Sequence, residues 1–377
     1  MPTKTDSISL TRGVPAEESF PIDEIVACAE SALRRNGKTL LQYHPASGFG
    51  PLREALAEED GVALDRVVIG NGSIQLFDLL ARTLLTRGDT VLVERPTYDR
   101  AITALRNAGA HVVGVPLEED GINLSLFEEA IRRHAPRLIY LIPDFQNPSG
   151  VTLSAAKRQA VADLTRRHGI HLVIDVPYRR LRYVGTDETS LFHLDPERVI
   201  QMSSFSKLIS PGLRVGWMIA PKAVAAQVTR LAEDTYITPS MLSQGVVYEF
   251  LRQGRLPAAI DRLKALYGPR LERLLEELEG RMPEANCFRP QGGFFLGLNL
   301  PRDVSGQDFA RFATGEGLKL TDGRGFYADG DGSRFVRVPF CALSPKEITE
   351  AVARLARALQ LARMTTAKEA SHAKTQQ

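Results

Sequence analysis

The chain has 377 residues, a formal net charge of +2 and 24% charged residues. Such a near-neutral balance gives no bulk-charge reason to expect a nucleic-acid or membrane partner, and no apolar run is long enough to span a bilayer. Length alone, at roughly 150 residues per domain, suggests about two domains. The start, Met1-Pro2-Thr3-Lys4-Thr5-Asp6, lacks the apolar core of a signal peptide. Three widely spaced cysteines (Cys28, Cys287, Cys341) form no metal-ligand pattern and point to a reducing, cytoplasmic setting. The histidines make no HExxH or other paired arrangement, so no metal site is expected.

The first segment reads as an arm, Arg12-Gly13-Val14-Pro15, and a helix over Asp23–Arg35. Gln42 to Gly50 is an irregular loop with an exposed tyrosine, Tyr43, and Pro51 opens a helix. Seven short apolar strands then alternate with amphipathic helices: Arg66–Gly70, Thr90–Glu94, His111–Val115, Leu138–Pro143, His171–Asp175, Val199–Ser203 and Val215–Ala220. Helix-separated apolar strands predict an α/β fold with a mainly parallel sheet covered on both faces. The last two strands are joined by too short a link for a crossover helix, so that pair is expected to be antiparallel. A long helix near Leu256–Arg281 reads as a spine. From Cys287 on, strands at Phe294–Leu300 and Arg334–Val338 with helices at Gly306–Gly315 and Pro345–Leu361 form a smaller α+β domain. The expected division is 1–44 (arm and helix joining the small domain), 45–280 (large domain), 281–364 (small domain) and a disordered polar tail over 365–377.

Ligands of open parallel sheets sit beyond the carboxyl ends of the strands, so the residues following each strand carry the functional reading. After the first come Gly70-Asn71-Gly72-Ser73-Ile74, glycines running into a helix N-terminus, which suits an anion. After the second comes Tyr98, either a platform for a flat ligand or a staple at a helix start. After the fourth comes Asn147, kept from helical geometry by Pro148 and able to reach both a donor and an acceptor. After the fifth come Asp175 and Tyr178; the carboxylate needs a partner, either Arg179 or Arg180 or a protonated ring nitrogen of a ligand. After the sixth come Ser204, Ser206, Lys207 and, past the Pro211-Gly212 turn, Arg214: hydroxyls and a cation for a phosphate, and a lysine for a carbonyl carbon. Together these form the inventory for pyridoxal 5′-phosphate: a phosphate site (Gly72, Ser73, Ile74, Ser204, Ser206, Arg214), a platform (Tyr98), a ring-nitrogen partner (Asp175), donors for a phenolic oxygen (Asn147, Tyr178) and an aldehyde-binding lysine (Lys207).

Ser204-Phe205-Ser206-Lys207 with Pro211-Gly212-Leu213-Arg214-Val215-Gly216, Asn147-Pro148-Ser149-Gly150, Asp175-Val176-Pro177-Tyr178 and Pro290-Gln291-Gly292-Gly293-Phe294-Phe295 resemble the class I/II aminotransferases of pyridoxal-phosphate-dependent transferase fold type I. The resemblance is nearest to the branch of 2-aminoadipate aminotransferases, which also supplies a domain of certain bacterial regulators. It implies an aminotransferase acting on an amino acid and a 2-oxo acid through a Lys207 Schiff base, with Asp175 and Tyr178 beside it. It implies substrate contacts at Gly13, Asn147 and Arg337, and a homodimer in which Tyr43 reaches the neighbouring subunit's cofactor site. Ile74, Arg100 and Val338-Pro339-Phe340 depart from the family pattern on the substrate side. Arg12, Arg100, Glu17, Glu18 and Gln42 are candidates for lying near the substrate side chain. An Ala/Arg/Gly-rich composition suggests specialised amino-acid metabolism. The same residues also serve amino-acid lyases, racemases and oxidases. A regulatory module is the rival of another class, and the dozen residues before Gly13 leave it no room for a preceding winged helix.

Overall fold

Alternate residues of the central strands face opposite sides, and the side chains sort accordingly. Val67, Ile69, Leu92, Ile139, Leu141, Leu172 and Ile174 belong to one apolar cluster, Val68, Val91, Val93, Tyr140, Val173 and Ile200 to another. Both faces are therefore covered, and each fully buried Val, Leu or Ile contributes about 1.5–3 kcal/mol.

The computed structural model of the chain describes residues 7–375. In order, the elements are β1 (Ile8–Leu10), α1 (Ile22–Leu40), α2 (Gly50–Asp60), β2 (Val67–Gly70), α3 (Ser73–Leu84), β3 (Thr90–Arg95), α4 (Asp99–Asn107), β4 (His111–Glu118) and β5 (Gly121–Ile122). Then follow α5 (Leu124–His134), β6 (Leu138–Leu141), α6 (Ala155–His168), β7 (His171–Asp175), α7 (Leu191–Leu194), β8 (Val199–Ser204) and β9 (Gly216–Ile219). The last third holds α8 (Lys222–Tyr236), α9 (Met241–Arg252), α10 (Arg255–Arg281), β10 (Asn286–Cys287), β11 (Phe295–Asn299), α11 (Gly306–Gly315), β12 (Leu318–Leu320), β13 (Phe335–Pro339) and α12 (Pro345–Thr375).

The large sheet runs β2-β9-β8-β7-β6-β3-β4-β5. Its seven main strands are those expected from the sequence. The eighth, β5, is a two-residue edge paired antiparallel to β4, too short to carry a periodic signal. The pairs β3–β4, β3–β6, β6–β7 and β7–β8 are parallel. β9 is antiparallel to both β8 and β2, as the short β8–β9 link requires. A second sheet, β10-β11-β13, forms the smaller unit, and β1 pairs in parallel with β12 beside it.

Two expectations change. The arm strand joins the small unit, but α1 does not. It lies against α9, because the small residues Cys28 and Ala32 are buried on one face and Leu40 packs over Gly245. Ser31 and Arg35 then bind the buried Glu249, Ser31 Oγ donating at 2.7 Å. The tail also differs: α12 continues through 365–375, where Ala, Lys and Glu in the sequence favour helix. Gln376 and Gln377 lie outside the described residues.

Candidate active site

At the carboxyl ends of β2, β3, β6, β7 and β8 lies a cavity of about 480 Å³ lined by Ser73, Tyr98, Asn147, Asp175, Tyr178, Ser204, Ser206, Lys207, Arg214 and Arg337, with the arm residues Thr11–Val14 closing it. Ile74 and Arg100 also line it.

One end is built for an anion. Helix α3 begins at Ser73 after Gly72, and no side chain caps it; α5, by contrast, is capped by Asn123, whose Oδ1 accepts from the Leu126 amide at 2.9 Å. The first amides of α3 are thus left to bind a ligand. Gly72 sits at φ +98°, and a Cβ there would run into the Arg214 guanidinium. Ser204 and Ser206 hydroxyls lie 2.8 Å apart. Arg214, itself left-handed at φ +53°, donates to Asn71 O at 3.0 Å and to Ser206 Oγ at 3.5 Å. The turn before it is fixed by Ser210, whose Oγ accepts from the Gly212 amide at 3.2 Å.

Further in, the Tyr140 hydroxyl donates to Asp175 Oδ2 at 3.1 Å, and the buried Oδ1 has no partner among the described residues. Burial pushes this carboxyl up to about 7, against the Tyr140 hydrogen bond. Neither arginine considered from the sequence serves it: Arg180 pairs with Glu59, and Arg179 donates to the Glu188 carbonyl at 3.1 Å. A buried carboxylate oxygen facing a cavity with no donor suits a protonated ring nitrogen. Tyr98 stands at the start of α4, its phenol pushed up to about 12 by burial.

Lys207 is half-buried, its amine lowered by burial and by the Arg337 and Arg214 charges. Its Nζ donates to Gly13 O at 2.9 Å and lies 5.4 Å from the Phe294 ring centre. Lowering favours the neutral, nucleophilic amine. Arg337, buried on β13, donates to Asn147 Oδ1 at 3.1 Å and to Thr11 O at 2.6 Å, sandwiched between the Phe295 and Phe326 rings. Its Nε is buried without a partner, and among the described residues no carboxylate pairs with it. Arg337 lines the cavity, so its unpaired charge is available to an incoming carboxylate.

Tyr43 stands apart: it is 75% exposed and does not line this cavity. Of the five candidates for the substrate side-chain end, Arg12 and Arg100 line the cavity. Glu18 instead pairs with Arg270, Gln42 accepts from the Tyr43 amide at 2.9 Å, and Glu17 opens a short 3₁₀ turn. The sequence reading misses several supports. Tyr140 is one, although a lone hydroxyl in Leu-Ile-Tyr-Leu was a usable signal. Arg158 is another: it pairs with buried Asp144 at 2.7 Å and donates to the Pro143 and Leu153 carbonyls, pinning both ends of the turn that carries Asn147. Cys341 Sγ donates to Val14 O at 3.1 Å. Among the described residues no His, Cys, Asp and Glu cluster could hold a metal.

The model of the family "Aminotransferase class I and II" matches residues 5–355. The chain belongs to this family. It is 35% identical to the 2-aminoadipate transaminase of Thermus thermophilus over 94% of this chain and 90% of that protein. The crystal structure of an α-aminoadipate aminotransferase from the same species, complexed with N-(5′-phosphopyridoxyl)-L-leucine, superposes with a TM-score of 0.89 at 35% identity, covering 94% of this chain and 92% of the other. A kynurenine aminotransferase from Pyrococcus horikoshii superposes with a TM-score of 0.91 at 31% identity, covering 95% and 91%. The protein is an aminotransferase of the pyridoxal-phosphate-dependent fold type I, in the 2-aminoadipate-like branch, and its cofactor is pyridoxal 5′-phosphate. The donor set fits that group: the uncapped helix end with Arg214 suits the phosphate, and the unpartnered Asp175 oxygen suits the pyridine nitrogen.

Proposed function

We propose that this aminotransferase takes an α-amino acid with an acidic side chain as amino donor, with Lys207 as the proton carrier at its Cα. The observation that carries the reading is the convergence of the Lys207 amine, the orphaned Asp175 oxygen and the Arg337 charge, which no described carboxylate pairs, on one cavity. Bound pyridoxal phosphate supplies an aldehyde for amines and a ring that takes up the electron pair left when the Cα–H bond breaks. Ser73, Ile74, Ser204, Ser206 and Arg214 hold its phosphate, Tyr98 backs its ring, and Asn147 and Tyr178 serve its phenolic oxygen. Asp175 keeps the ring nitrogen protonated. Arg337, steadied by Asn147, clamps the α-carboxylate with two parallel hydrogen bonds and so sets which Cα bond faces the ring. Lys207, as a free amine beside the substrate, would take the Cα proton and give it back, acting as base and then as acid.

Two arginines on the cavity wall support the acidic side chain. Arg12 and Arg100 both line the cavity, and Arg100 Nε lies 3.9 Å from Asp99 Oδ2. A carboxylate on the substrate side chain would meet these cations. The Thermus relative's name, a 2-aminoadipate transaminase, agrees. Gly13 offers its backbone to the same substrate.

A homodimer completes the proposal. Leu41, Tyr43 and Ile237 are exposed apolar side chains near one another, since the His44 amide donates to Thr238 Oγ1 at 3.1 Å. The Ser240 amide in turn donates to Asn71 Oδ1 at 2.9 Å, beside the phosphate end. A second copy seated on this patch brings its own Tyr43 to the cavity. The free cysteines support a cytoplasmic setting, and no described helix is long and apolar enough to cross a membrane. The test is a panel of amino acids mixed with the loaded enzyme. Accumulation of the pyridoxamine form with acidic donors supports the reading; ammonia without that form points to a lyase, and loss of optical purity alone to a racemase.

A further inference from the structure

Three side chains outside the cavity tie together the two turns that deliver Tyr98 and Asn147. Glu94, at the end of β3, is 4% exposed, Gln146 1% and Ser149 0%. Glu94 Oε2 accepts from the Ile142 amide at 2.9 Å and from Gln146 Nε2 at 3.2 Å. The same Nε2 donates to the Pro96 carbonyl at 2.8 Å. On its other side, Gln146 Oε1 accepts from the Ser149 amide at 2.9 Å and the Ser149 hydroxyl at 2.6 Å.

All the hydrogen-bonding capacity of the Gln146 amide is therefore used. A flipped amide would set its NH₂ against the Ser149 amide and its oxygen against the Pro96 carbonyl, so these two backbone groups fix one orientation. Pro96 lies two residues before Tyr98, and Gln146 immediately precedes Asn147. Ser149 carries the link further: its carbonyl accepts from the Gly297 amide at 3.0 Å, and Gly297 on β11 is the register partner of Arg337 on β13. One buried amide thus spans the ring platform, the Asn147 turn and the sheet that bears the carboxylate clamp.

We infer that Glu94 and Gln146 are positioning residues that set the spacing of Tyr98, Asn147 and Arg337 around the cofactor and substrate. The inference rests on the site reading above. Burial pushes the Glu94 carboxyl up to about 8. That shift favours the neutral carboxyl, and an uncharged carbonyl can serve the same two donors. Glu94→Gln should accordingly keep the clamp, whereas Glu94→Leu and Gln146→Leu break it.

The experiment titrates the apo forms of wild type, the three single variants and the double Leu variant with pyridoxal 5′-phosphate by absorbance, and follows the melting of each apo form. Both Leu variants are expected to weaken cofactor binding about tenfold or more. Glu94→Gln should stay within about twofold, and the double variant should bind no worse than the weaker single one. Lower apo melting with unchanged cofactor affinity overturns the inference, because it leaves only a structural role. Additive losses in the double variant overturn it too. If the Leu variants do not fold, Gln146→Glu supplies the measurement: it keeps the size and leaves at most one donor, as a protonated carboxyl, where Gln146 supplies two to Glu94 and Pro96, and should show a loss in the same direction, unchanged affinity being the overturning result. Wild type is the control for the site itself. If it does not bind the cofactor, both readings fall; if it binds and the variants match it, only the clamp falls.

Discussion

Lys207 Nζ donates to the carbonyl oxygen of Gly13 at 2.9 Å, across 194 residues of chain. Arg337 donates to Thr11 O at 2.6 Å, and Cys341 Sγ to Val14 O at 3.1 Å. Three groups that face the cavity or adjoin it therefore hold neighbouring carbonyls of the arm. The arm is part of the site because the site's own donors bind it, and β1 against β12 holds its other end.

Lys207→Ala should lower transamination by about a thousandfold or more, the scale of a lost positioned acid–base group. Borohydride treatment followed by mass spectrometry gives an independent reading. Wild type should retain the cofactor mass after denaturation and the variant should not. A variant that still fixes the cofactor would remove Lys207 from its role.

Arg337→Lys keeps the charge and loses the planar fork. The KM for the amino acid should rise about tenfold or more, with a smaller fall in kcat. Steady-state kinetics with saturating 2-oxo acid measures this. An unchanged KM counts against the carboxylate clamp.

Arg12→Ala and Arg100→Ala probe the side-chain end. Each should reduce kcat/KM for acidic donors by about tenfold, the scale of one partly exposed charge contact, while neutral donors change little. Equal losses for acidic and neutral donors would show that these arginines do not read the side chain.

Asp175 gives a pH prediction for the apo protein. Its carboxyl is held up to about 7 by burial, against about 3.9 in an unfolded chain. The native state thus binds this proton more tightly than the unfolded state. The stability it contributes is present below about pH 4 and lost as pH rises toward about 7. Asp175→Asn carries no such proton. Relative to the variant, wild type should lose on the order of a few kcal/mol between those limits. Denaturant midpoints of both apo proteins at the two ends of the window test it, and parallel pH dependences would contradict the burial argument.

Lys207, Asp175, Asn147, Arg214 and the Gly72-Ser73 turn were legible because a parallel sheet places its ligand beyond its strand ends, so reading the residues after each apolar run samples the site directly. Arg337, Gly13 and Tyr43 came only from resemblance, since they lie on the small unit, the arm and an exposed loop. The exposed Tyr43 still depends on a second copy of the chain for its proposed role.

Local patterning was enough for the seven main strands, most helices and the reversed β8–β9 pair, because hydrophobic period and link length are properties of neighbouring residues. The rest was settled by contacts between distant ones. β5 and β10 have two residues each and β1 has three, so pairing defines them rather than periodicity. The side α1 packs on depends on Gly245, more than 200 residues away in the chain. Asp175 had three possible partners on paper, and only the packed sheet brings Tyr140 to one oxygen and leaves the other bare. Glu94 and Gln146 gave no motif at all: burial is what makes a hydrogen-bonding group matter, and burial is decided by the whole fold.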